Sequence, residues 1–162
     1  MENVNFLAVV VAALVPMVFG FLWYNPKLFG NAWMEAAGMT EEKVQGGNMA
    51  VIFGVSLLLS FLLAMSLMPM VNHQMHLGSL ILGDDSAETA EWLKNAMATY
   101  GDNYRTFGHG AFHGVFAGLM FVLPVLGTNA LFERKGFKYI LVNVGYWTVT
   151  LAAMGAIICG WQ

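Results

Sequence analysis

Four uninterrupted apolar runs dominate this chain and leave it one kind of fold. They cover roughly Val4–Tyr24, Met49–Met70, Phe107–Leu126 and Tyr139–Trp161, and none contains Asp, Glu, Lys or Arg. A helix advances about 1.5 Å per residue, so about 20 apolar residues cross a hydrocarbon core of about 30 Å. The runs are continuous rather than alternating, which sets aside the strands of a lipid-facing barrel. Composition agrees, with 58% hydrophobic and 10% charged residues among 162 and a mean hydropathy of +0.63. Soluble domains carry about 25% charged residues to cover their surface. The expectation is an all-α membrane protein forming one domain over residues 1–162. It is a four-transmembrane-helix bundle with a short helix in the second loop, residues 71–106.

Several classes fall away. The net charge is −3 and no Lys/Arg-rich tract is present, so nucleic acid is not an expected partner. A signal peptide starts with basic residues and has a core of about 7–15 apolar residues. Here Glu2 precedes the first run with no Lys or Arg, and the run is longer and ends in Trp23-Tyr24, so a retained helix is expected. Cys159 is the sole cysteine and sits in an apolar segment, where packing is its ordinary role. There is no HExxH, P-loop, nucleophile elbow or dinucleotide fingerprint, and no catalytic residue is assigned.

Loop charges suggest an orientation. The first and third loops hold Lys27, Lys43, Arg134, Lys135 and Lys138, whereas the second loop holds Lys94 and Arg105. By the positive-inside rule the first set is cytoplasmic, with both termini and the 71–106 loop outside. Trp23, Tyr24, Trp33 and Trp161 lie at span ends, where aromatic rings anchor at headgroup level. Pro26 is expected to stop the first helix and Pro16 to kink it. In the second loop Ser86 can cap a helix with Glu88 in its first turn, an Ala90/Leu93/Met97 stripe, and Gly101-Asp102-Asn103 as its end.

Two polar or small-residue patterns bear on packing. Gly110, Gly114 and Gly118 share one face of the third span, and Ser56, Ser60 and Ala64 repeat that spacing on the second. Small residues allow close approach in lipid, so these two spans are expected to pair. The same motif can serve a dimer instead, as a glycine zipper. Asn143, Tyr146 and Thr150 share a face of the fourth span, either for interhelical hydrogen bonds or as the wall of a small-ligand pocket.

The run Gly20-Phe21-Leu22-Trp23-Tyr24-Asn25-Pro26 followed by Leu28-Phe29-Gly30 and Trp33 resembles the small bacterial membrane proteins of domain-of-unknown-function family 1761. The ending, Asn143-Val144-Gly145-Tyr146 through Gly155-Ala156 to Trp161, supports the resemblance. It implies a four-helix bacterial membrane protein, here expected in the inner membrane, and no activity, cofactor or site residue.

The four histidines gather near one membrane face. His73 and His76 follow the second span, and His109 and His113 open the third. Spacings of three and four place imidazoles on one helix face, within reach of one ion. Met65, Met68, Met70 and Met75 lie nearby, suiting copper; Asp84 or Asp85 would suit zinc. The same histidines can instead contact a ligand or proton, or serve only as helix-end residues.

Three functional classes follow. The first is a non-catalytic accessory or assembly subunit, or a homo-oligomer, whose partners are the lipid bilayer and another copy or another membrane protein. The second is a zinc- or copper-binding protein using His73, His76, His109 and His113. The third is small-molecule or lipid binding or transport.

Overall fold

In a computed structural model, which describes residues 5–162, nine α-helices follow one another. They are α1 (Phe6–Trp23), α2 (Gly30–Ala37), α3 (Glu41–Gln45), α4 (Met49–Val71), α5 (Gln74–Leu80), α6 (Ala87–Tyr100), α7 (Phe107–Ala117), α8 (Leu123–Phe132) and α9 (Phe137–Gly160). A π-helical stretch, Gly118–Val122, joins α7 to α8, so Phe107–Phe132 forms one span. With α1, α4 and α9 it makes four helices long and apolar enough to cross a membrane. The protein is an all-α integral membrane protein. Val4, the expected start of the first span, lies outside the described residues.

Local chemistry accounts for the ends. Asn5, Asn48 and Thr106 each cap a span through a side-chain oxygen that accepts a backbone N–H, removing an otherwise unpaired donor. The first helix stops at Trp23, two residues before Pro26 bars the α conformation from its neighbour. It runs through Pro16 without interruption. The third span is longer than expected, reaching Phe132 rather than Leu126. Thr128 and Asn129 read as loop in the sequence, yet nothing breaks the helix before Arg134 adopts a positive φ of 57°. Pro124 lacks an N–H, and just before it the Leu123 N–H reaches back five residues to the Gly118 carbonyl, which gives the π turn.

The expected helix of the second loop is present as α6. Ser86 accepts the Thr89 N–H at its start, and Glu88 lies in its first turn. The loop holds a second short helix, α5, that the sequence did not announce. The first loop likewise contains α2 and α3.

The central element is α9, half of whose most apolar window is buried. It is flanked by α1, by α4 and, most intimately, by α7. The expected pairing of the glycine face with the second span gives way to a pairing with the fourth. A Cβ on Gly110 would overlap the Gly155 carbonyl, one on Gly114 the Leu151 carbonyl, and one on Gly118 the Thr148 side chain. Backbones touch here because both sides offer glycine or small residues; Gly155 meets the Gly110 carbonyl in return. Ser60 and Ala64 of α4 are buried, with Ala64 in a core beside Ala12, Ala13 and Leu151; Ser56 remains half-exposed.

Candidate metal centre

Three of the four histidines converge. His73 lies in the short link between α4 and α5, while His109 and His113 occupy successive turns of α7. One ligand nitrogen from each falls within 4.8 Å of the other two. His73 Nε2 and His109 Nε2 stand 2.9 Å apart, and His113 Nε2 and His109 Nε2 stand 3.0 Å apart. The ring centroids of His73 lie 5.0 Å from those of both partners. His73 is exposed, and His109 and His113 are half-buried.

The arrangement is over-subscribed as a hydrogen-bond network. A neutral imidazole nitrogen carries either one proton or one lone pair. His109 Nε2 faces two nitrogens at once, so a single lone pair or proton must serve both contacts. A cation removes the conflict by accepting all three lone pairs. With zinc–nitrogen bonds of about 2.0–2.1 Å and tetrahedral angles, neighbouring nitrogens would stand roughly 3.3 Å apart. The two separations to His109 reach that spacing with a shift of a few tenths of an ångström, and the His73 and His113 nitrogens lie within 4.8 Å of each other.

Several elements hold His73 against α7. Asn72 caps α4 by donating its N–H to the Met68 carbonyl at 3.1 Å. Gln74 donates from Nε2 to the carbonyls of Tyr100 and Asn103 at 3.0 and 2.8 Å, tying the start of α5 to the end of α6. Cys159, buried near the end of α9, has its Sγ 3.3 Å from the carbonyls of both Val71 and Tyr104, and its single S–H donates to one or the other. Arg105 donates from Nε to the Cys159 carbonyl at 3.1 Å. The sole cysteine is thus a brace for the site.

His76 is not one of the convergent three. It lies one turn further along α5, exposed, with its backbone N–H on the His73 carbonyl. Three residues after His73 is a shared face only within a continuous helix, and His73 precedes α5 as its cap. Met65, Met68 and Met70 pack against the apolar core. Asp84 is engaged elsewhere: its carboxylate accepts the Ser86 N–H at 3.0 Å and the Thr89 hydroxyl at 2.7 Å. Those bonds, with the Thr89 hydroxyl foremost, hold the Asp84 carboxyl below the usual carboxylate range.

Two neighbours carried no sequence signal. Tyr104 adopts a positive φ of 62°, rare for a bulky residue, and its ring lies 5.1 Å from His109 and 6.2 Å from His73. The Asn72 amide is 1% exposed, and neither its oxygen nor its nitrogen has a hydrogen-bond partner among the described residues. Buried polar atoms are normally satisfied, if not by protein then by water or ligand.

The remaining candidates gather at the opposite end of the bundle. Tyr24 donates its hydroxyl to Asn143 Oδ1 at 3.0 Å, and Asn143 donates to the Tyr139 carbonyl at 2.7 Å. Tyr146 donates to the Pro16 carbonyl at 2.7 Å, and Trp23 Nε1 donates to the Val142 carbonyl at 3.1 Å. Burial raises the Tyr24 phenol above its ordinary range, with Tyr146 and Tyr139 adding to the shift. Thr150 is fully buried. Trp33 meets Tyr24 edge-on at 5.5 Å, so Trp23, Tyr24 and Trp33 form a packed turn against α9. Gly30 closes that turn, since a Cβ there would overlap the Tyr24 carbonyl. Trp161 is 39% exposed at the other face.

A family model described as a protein of unknown function (DUF1761) matches residues 7–159, nearly the whole chain. The chain belongs to that family. DUF1761 membership spans all four membrane helices and both polar clusters, and its description carries no activity. No curated protein and no solved structure matches the chain.

Proposed function

We propose that this DUF1761 protein binds a transition-metal ion, zinc or copper, through His73, His109 and His113 at the membrane face that bears the second loop. The observation carrying the proposal is the convergence of three imidazole nitrogens within 4.8 Å, from two separate segments. Three nitrogen ligands leave a fourth position for water or a transferable ligand, as in open zinc sites. His73 is exposed, so an ion has a route in from the surface. Imidazoles serve zinc and copper alike; Met75, half-buried on α5, is the soft donor nearest in sequence for copper.

In this reading the site faces out of the cytoplasm, in a bacterial inner membrane. The excess of Lys and Arg on the first and third loops supports this. Those loops share a side: Lys138 pairs with Glu35 at 2.6 Å, and Lys135 donates to the Ala37 carbonyl at 2.6 Å. Self-association through the glycine face has less support, because α9 of the same chain covers that face.

The test is elemental analysis of protein purified gently without chelator, followed by calorimetric titration with zinc and with copper. One ion per chain in the wild type, absent from His113→Ala and retained in His76→Ala, is expected. A wild type that neither carries nor takes up either metal overturns the proposal.

A further inference from the structure

The other large feature of the bundle is a groove at its opposite end. It is independent of the histidines. A space of about 1050 Å³ opens between the first-loop halves of α1 and α4, against the third span and α9. Its shape follows from how α1 and α4 pack. Near the second loop they close tightly, with Val9, Ala12 and Ala13 in one core with Ala64, Leu67 and Val71. From Pro16 onward α1 lines the groove instead, and small residues set its floor: Gly20 on α1, Ser56 and Ser60 on α4. Val122 of the π-helical stretch and Trp147 of α9 form further wall. At the first-loop end it reaches Tyr24, Asn25 and Pro26 at the membrane interface.

We propose that this groove is a binding site for one acyl chain of a bilayer phospholipid. Depth and length support that occupant over a partner helix. Along α4 the lining runs from Ile52 to Leu63, roughly 16 Å at the helical rise. One leaflet contributes about half of a hydrocarbon core of about 30 Å. The groove therefore begins at the interface and ends near the midplane, where an acyl chain also ends. A partner transmembrane helix crosses both leaflets, yet the α1–α4 contact closes the second half against it. Water is a poor occupant, since no Asp, Glu, Lys or Arg lines the groove. Tyr146, a buried polar residue of its wall, already donates its hydroxyl to the Pro16 carbonyl.

Photolabelling reads this directly. The full-length protein is reconstituted in phosphatidylcholine vesicles containing a trace of phosphatidylcholine with a diazirine on one acyl chain. After irradiation, labelled residues are mapped by mass spectrometry. Met17, Ser56 and Val122 in the groove should label several-fold more than Val18 and Leu58, which are exposed on the same helices outside it. Ser56→Phe, which fills the floor, should bring groove labelling down to the Val18 level, while Leu58→Phe leaves it unchanged. Equal labelling of groove and outward residues in the wild type overturns the proposal, whatever the variants do. So does groove labelling that survives Ser56→Phe, or a light-independent chain-to-chain contact across the groove trapped by chemical cross-linking.

Discussion

The two ends of the bundle both carry polar side chains at helical spacing, and they use them in opposite ways. At the first-loop end Trp23, Tyr24 and Tyr146 each donate to an oxygen of the facing helix, and Asn143 donates to the Tyr139 carbonyl within α9. These bonds tie α1 to α9, although the buried Thr150 hydroxyl on the same face has no partner among the described residues. At the second-loop end three imidazoles point at one another, and His109 Nε2 is contested by two partners. A satisfied network stabilises a fold by itself, whereas an over-subscribed one calls for a further species. The contrast lies in what the side chains face: backbone and amide oxygens at one end, other imidazoles at the other.

The sharpest way to break the comparison is His109→Ala. The central ligand is lost, and bound metal should fall from one ion per chain to none by elemental analysis, with the helical circular dichroism unchanged. In the wild type, occupancy should be full near neutral pH and fall as pH drops through the imidazole range, near about 6.5, because protons compete for the ligand nitrogens. Occupancy that is flat from pH 8 to pH 5 would mean that histidine does not hold the ion.

Gly114→Leu attacks the joint that both ends share. Its side chain would drive into the Leu151 carbonyl, and overpacking of this kind costs about 1–3 kcal/mol or more. The melting temperature in detergent should drop strongly, and metal affinity with it, since α7 carries two ligands on a helix seated by that contact.

Tyr146→Phe sharpens the other side of the comparison. It removes one interhelical hydrogen bond of the first-loop end, worth about 0.6 kcal/mol on average and at most about 1.7 in membrane bundles. Chemical denaturation should show a small loss, while the metal stoichiometry stays at the wild-type value. Metal loss in Tyr146→Phe would show that the two ends are coupled.

Glu35→Gln should do least. Lys138 holds the Glu35 carboxyl below its ordinary range, chiefly through their hydrogen bond, but both side chains are largely exposed. A depressed carboxylate contributes above its ordinary value near about 4.3 and ceases to as pH falls through the lower folded value. The melting temperature of Glu35→Gln should therefore differ from the wild type, by less than for Tyr146→Phe, near pH 7, and the difference should shrink as pH falls below the ordinary carboxylate range.

Much of the architecture was legible because the bilayer imposes one dimension on the chain. Four runs of sufficient length, free of charge, set the number of spans, and the family resemblance is met by a match over residues 7–159. The cap at Ser86 was also local and readable, for it needs only an oxygen within three residues of an N–H. Tertiary structure decided the rest. Gly110, Gly114 and Gly118 announce a close approach but not to which helix, because any small-residue face would satisfy them; the bundle gave them α9. His109 and His113 share a face by spacing alone, yet only the turn after Val71, fastened by Gln74 and Cys159, brings His73 to them and leaves His76 outside. Periodicity reports which residues lie together on one helix, and it is silent about what the next helix brings, since that contact depends on packing over the whole bundle.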